Sequence, residues 1–155
     1  MNRTIHGACV KAEQPDHLDQ QKQIKKRMGN CLYYYATMRG HMDIVKFLTV
    51  EKHCDPMCTD IDPNTPLHFA ARGSHIDVVK FLTLEMHCDP TSRNTYNATA
   101  LHLAVGKGHL NIVQLFISDR YLGYDSNIQG QYGGTPLHYA AKRGHLHIVN
   151  SLCDD

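Results

Sequence analysis

The side chains best equipped for chemistry here are twelve histidines and six cysteines, since both can ligate metals and a histidine can activate a neighbouring nucleophile. Their densest grouping is His53, Cys54, Cys58, His87 and Cys88, whose nitrogen and sulfur donors suit zinc. The spacing weakens that reading. His87-Cys88 copies His53-Cys54 one repeat later, and Ser92 stands where a second Cys58 would fall. Zinc binding is therefore the alternative reading, and the first is that Cys54 and Cys88 are small packing residues at a helix exit. No Gly-x-Ser-x-Gly elbow, P-loop or Gly-x-Gly-x-x-Gly turn is present, and Gly130 to Gly134 reads as a hairpin. The sequence thus predicts no enzyme, no catalytic residue and no cofactor. Tyr33, Tyr34 and Tyr35 cannot all face one way on a helix, so one can be core while another is exposed; capping bulk is preferred over a binding patch.

Nine of the histidines fall at recurring slots, which points away from chemistry and towards architecture. Thr65-Pro66-Leu67-His68, Thr99-Ala100-Leu101-His102 and Thr135-Pro136-Leu137-His138 recur at intervals of 34 and 36 residues. His41, His75, His109 and His145 each open an apolar run. Each unit predicts two short helices and an extended turn. The threonine serves as N-cap, and proline after it loses no hydrogen bond because its missing N–H would be unpaired anyway. Gly40, Gly108 and Gly144 end the first helix in the left-handed conformation, with Ser74 in that slot in the second unit. The second helix carries apolar residues at helical spacing, as in Ile76, Val79, Phe81 and Leu82. One such unit cannot bury its own apolar face, so stacked neighbours must share a core.

These residues resemble the ankyrin repeat, with its Thr-Pro-Leu-His box, Ala-Ala pair, Gly-His step and apolar second helix in about 33 residues. The resemblance covers residues 30 to 152 and implies an all-α solenoid of stacked helix-turn-helix units joined by hairpin loops. The expected divisions are a degenerate N-terminal cap at 1–29, a divergent repeat at 30–62, repeats at 63–96 and 97–132, and a partial repeat at 133–155. In the cap, Ile5 to Cys9 echoes the box; in the divergent repeat, Cys31 to Tyr34 replaces it. Two extra residues between Asp119 and Tyr132 should displace the third finger, and Pro63 should give the first finger a different turn because it resists positive φ. Thr65, Pro66, Thr99, Thr135 and Pro136 are expected to be structural. So are His68, His102 and His138, which the resemblance assigns to hydrogen bonds tying loop and adjacent repeat together.

What the resemblance implies for function is a protein-interaction module, a scaffold or adaptor, binding on a concave side of hairpin tips and first helices. The expected tip residues are Ile61, Asp62, Asn64, Thr95, Tyr96, Ala98, Gln131 and Tyr132. From the first helices come Met38, Arg39, Arg72, Lys107, Lys142 and Arg143, whose basic members form a stripe if the units stack in register. The partner is then another protein, with an acidic segment facing the stripe. A spacer role in a longer array is a further alternative.

Composition agrees with a folded chain: 42% apolar, 20% charged, formal net charge +1. Lys22, Lys25, Lys26 and Arg27 form one short basic cluster, read as a solvated helix face, so no nucleic-acid partner is expected. No apolar run approaches a membrane span, and no signal segment is recognisable. An even cysteine count raises a disulfide framework, but Cys54 and Cys88 are copies of one position, so free thiols are preferred. The expected setting is intracellular and cytoplasmic, and the expected state a monomer.

Overall fold

A computed structural model of the chain describes residues 17–118, 125 and 127–153. Its helices follow from the caps. At Thr65, Thr99 and Thr135 the backbone is extended, and a helix starts at the next residue each time. The described helices are α1 (His17–Arg39), α2 (Met42–Lys46), α3 (Pro66–Arg72), α4 (Ile76–Lys80), α5 (Ala100–Lys107), α6 (Leu110–Ser118), α7 (Pro136–Arg143) and α8 (Leu146–Cys153). Helices α1, α3, α5 and α7 pack in sequence as an inner layer, while α2, α4, α6 and α8 form the outer one. Apolar contact runs unbroken from Tyr33 to Ile148, and each repeat supplies one slab of it. The small pair Ala70-Ala71 and its counterpart Ala104-Val105 are fully buried, which lets inner helices approach closely.

Helix α1 runs unbroken across the expected boundary at 29/30. A single glycine costs a helix only about 1 kcal/mol, and a Cβ at Gly29 would meet only ordinary contact with Cys54. The box echo at Ile5 to Cys9 lies outside the described residues, as do the side chains of the basic cluster at 22–27.

Helices α2 and α4 each continue into a wider π-type turn, Phe47–Glu51 and Phe81–Glu85. Such a turn takes up one residue more than α-geometry would. This accounts for a 34-residue step between the first two boxes where the resemblance implies about 33. A threonine in each wide turn bonds back to the carbonyl four residues earlier. The Thr49 hydroxyl donates to the Val45 carbonyl at 2.7 Å and that of Thr83 to the Val79 carbonyl at 2.9 Å.

Gly40, Ser74, Gly108 and Gly144 occupy one slot with φ of 70°, 64°, 80° and 72°. A left-handed residue with a Cβ is strained by about 1–2 kcal/mol. Replacing Ser74 with glycine is expected to stabilise the chain by about 0.5–1 kcal/mol after the entropy cost of glycine, read as a raised urea midpoint at unchanged m-value.

All three fingers close alike, through backbone N–H to carbonyl bonds from Asp60 to Asn64, Asn94 to Ala98 and Gly130 to Gly134. The turn within the first tip nonetheless differs, as expected: Asn97 and Gly133 donate backbone N–H bonds to the carbonyls of Asn94 and Gly130, and Pro63 in the same slot has no N–H to do so. The Asp60 carboxylate accepts the amides of Asp62 and Asn64, as Asn94 does for Tyr96 and Ala98, so the side-chain cap is shared even where that backbone bond is missing. Of the interval holding the two extra residues, 119–124 and 126 lie outside the description.

Candidate interaction surface

The surface is built on junctions between repeats. In the His68 box, the Thr65 backbone N–H and hydroxyl lie 3.1 and 2.9 Å from Nδ1, while Nε2 lies 3.0 Å from the Ala98 carbonyl in the next finger. The geometry fixes the tautomer: Nδ1 accepts, and Nε2–H donates. Burial pushes the His68 pKa below its ordinary value, so the ring is held neutral. His102 makes the same local bonds with Thr99 and is also depressed by burial. Its Nε2 is buried without an aligned partner; a Cβ on Gly130 would come within 2.9 Å of it. His138 keeps the Thr135 bonds but is exposed.

A second tie comes from the Gly-His step, where sequence alone marked the histidine only as a repeated position. His75 Nε2 bonds the Met38 carbonyl at 2.8 Å and His109 Nε2 the Arg72 carbonyl at 2.9 Å. Each bond joins the start of one outer helix to the end of the preceding repeat's inner helix. The arrangement holds those helix ends, with Arg39 and Arg72, in fixed positions.

Fingers are tied to one another as well. Asn94 donates to the Asn64 side chain at 2.8 Å, and Arg93 donates to the Gln129 carbonyl and, at 3.1 Å, to that of Asn97. Sequence reasoning missed Asp60, Arg93 and Asn94; Asp and Asn beside a turn were the available signal. On this frame Ile61 and Tyr132 stand 98% and 97% exposed, with Asp62, Thr95, Tyr96 and Gln131 also exposed. Ala98 is corrected: at 5% exposure it lies at the finger base beneath His68, which takes its carbonyl. Asn64, in the same slot, is half-buried and occupied with Asp60 and Asn94.

From the inner layer, Arg39, Arg72, Lys107, Lys142 and Arg143 are exposed and Met38 is half-buried. Each basic residue lies in the last turn of its helix, where a cation complements the carbonyl end of the dipole. Helices α3, α5 and α7 contain no Asp or Glu, so nothing on them offsets the positive row.

The tyrosines divide as one helix must divide them: Tyr33 is fully buried and hydrogen-bonded to Thr49 at 2.9 Å, Tyr34 is half-buried, and Tyr35 is exposed. Cys54, Cys58 and Cys88 cluster near Tyr33, and burial raises all three thiols, Cys88 to about 12. Thiols held protonated are poor nucleophiles. The five candidate zinc ligands are not assembled. His53 and His87 are exposed at the helix exits with positive φ, and among the described residues no three His, Cys, Asp or Glu side chains converge enough to hold an ion. The described cysteines are free.

Helix pairs stacked in sequence, three of them opened by Thr-x-x-His boxes, define a repeat solenoid. The family model for ankyrin repeats matches in three overlapping copies, at residues 6–94, 32–127 and 84–155, and the chain belongs to the ankyrin-repeat family. No curated protein matches it. Ankyrin repeats generally serve as protein–protein interaction modules and are typically non-catalytic. Among the described residues, no helix is long and apolar enough to cross a membrane.

Proposed function

We propose that the chain holds an acidic segment of another protein along its inner face, between the finger tips and the ends of the first helices. The observation that carries this reading is the row Arg39, Arg72, Lys107, Lys142 and Arg143, all exposed, on a layer whose helices α3, α5 and α7 contain no acidic residue. Tyr96 and Tyr132, exposed on successive fingers, supply large contact areas beside it. The row gives charge complementarity and the tyrosines anchorage. Met38, Asp62, Thr95 and Gln131 complete the surface as adaptable contacts.

The test begins by recovering partners with the full chain as bait, identifying them by mass spectrometry, and measuring affinity at low and raised salt. Arg72→Glu with Arg143→Glu is expected to weaken binding about tenfold or more at low salt and to flatten its salt dependence. Unchanged affinity with an unchanged salt slope would exclude the basic row as the docking element.

A further inference from the structure

At the N-terminal end of the inner face, Cys31, Tyr34, Tyr35, Met38, Asp60 and Phe69 enclose an open pocket of about 260 Å³. Half of its lining residues are aromatic. The rings of Tyr34 and Phe69 lie 5.3 Å apart, tilted by 45°, and the Tyr35 ring stands 63% exposed at the rim. Asp60 brings a carboxylate into this lining, and every hydrogen bond that carboxylate accepts comes from an uncharged amide, those of Asp62 and Asn64. Its negative charge is therefore not neutralised by those bonds. Among the described residues, no basic side chain lines the pocket. Asp60 is among the groups that oppose ionisation of the Tyr34 hydroxyl, so the carboxylate's charge bears on the pocket wall.

Aromatic faces present negative charge and a nearby carboxylate adds to it, so the favoured occupant is a cation with an apolar stem. We infer that this pocket seats a lysine or arginine side chain of the partner segment. The inference rests on the interaction reading above and sharpens it: the segment carries one basic anchor for this pocket and acidic residues for the row beyond. Opposite charges at the two places would also fix the direction in which the segment lies.

The pocket can be tested without the partner. Nα-acetyl-lysine methylamide, Nα-acetyl-arginine methylamide and the uncharged Nα-acetyl-norleucine methylamide would be titrated into the full chain while the Met38 methyl and Tyr35 ring signals are followed by NMR. The charged probes should give saturable shifts at low-millimolar concentration, with norleucine about fivefold weaker. Asp60→Asn removes the charge yet keeps the turn, because Asn94 performs the same capping in the next finger. It should bring the charged probes down to the norleucine level, and Tyr35→Ala should weaken them about fivefold. Equal binding of lysine and norleucine, a preference for charge surviving in Asp60→Asn, or no saturable shift would overturn the inference. Each of these results leaves the Arg72 and Arg143 test of the wider interaction surface standing on its own.

Discussion

Replacing His68 with alanine is expected to lower the unfolding free energy by about 3–4 kcal/mol, measured by urea denaturation. Three losses combine. The Thr65 N–H loses its acceptor and the Ala98 carbonyl its donor, both in buried surroundings, and removal of a ring only 1% exposed leaves a void. His138→Ala is the control, since that ring is exposed and bonds only within its own box; about 1 kcal/mol or less is expected there. The same geometry gives a pH dependence. A proton on Nδ1 would face the Thr65 N–H, and the folded-state pKa of His68 lies below the ordinary value of 6.5. Between that folded value and 6.5 the unfolded chain binds more protons. Stability is therefore full above about pH 6.5 and falls as pH drops through the window, with His102 acting in the same direction. The alanine variant should show a shallower fall.

Gly40→Ala is the second large effect, expected at about 3 kcal/mol. Part is backbone: φ is 70°, which costs an L-residue about 1–2 kcal/mol. The rest is collision. An added Cβ would lie 2.3 Å from His75 Nδ1, pushing the ring off the Met38 carbonyl. In the next rung the Ser74 side chain occupies this space while His109 still reaches Arg72, but His75 is also wedged against Gly73, where a Cβ would come within 2.5 Å of the ring. It has no room to retreat. Gly144→Ala separates the two terms: φ is 72° and nothing lies within 4 Å, so only the backbone cost of about 1 kcal/mol should appear. Equal losses at Gly40 and Gly144 would show that the ring contact contributes nothing.

The framework was legible because it repeats. Thr65, Thr99 and Thr135 each announce a helix through local hydrogen-bond chemistry, and the glycine slot announces its end, so period and pairing could be read before any coordinate. What stayed hidden depends on contacts that leave no period. Gly29-Asn30 looks like a break, yet α1 passes through it because nothing there crowds the helix. The wide turn after α4 adds one residue without disturbing the apolar pattern, so its only trace is a step one residue longer than the resemblance implies. Ala98 was placed at a tip when it sits at the base, since whether a small residue faces solvent depends on which ring, here His68, lies above it. Asp60 was passed over because its role joins a turn to a pocket formed by α1 and α3, and only packing brings those together.

The histidine ties reach one rung and no farther: His68 to Ala98, His75 to Met38, His109 to Arg72. Pulled from its two ends, such a chain has, among the described residues, no histidine tie beyond the adjacent rung to share the load. Each junction carries the full tension, and the weakest yields first. The molecule should thus lengthen under force in discrete, rung-sized releases and rewind the same way, behaving as a soft mechanical spring.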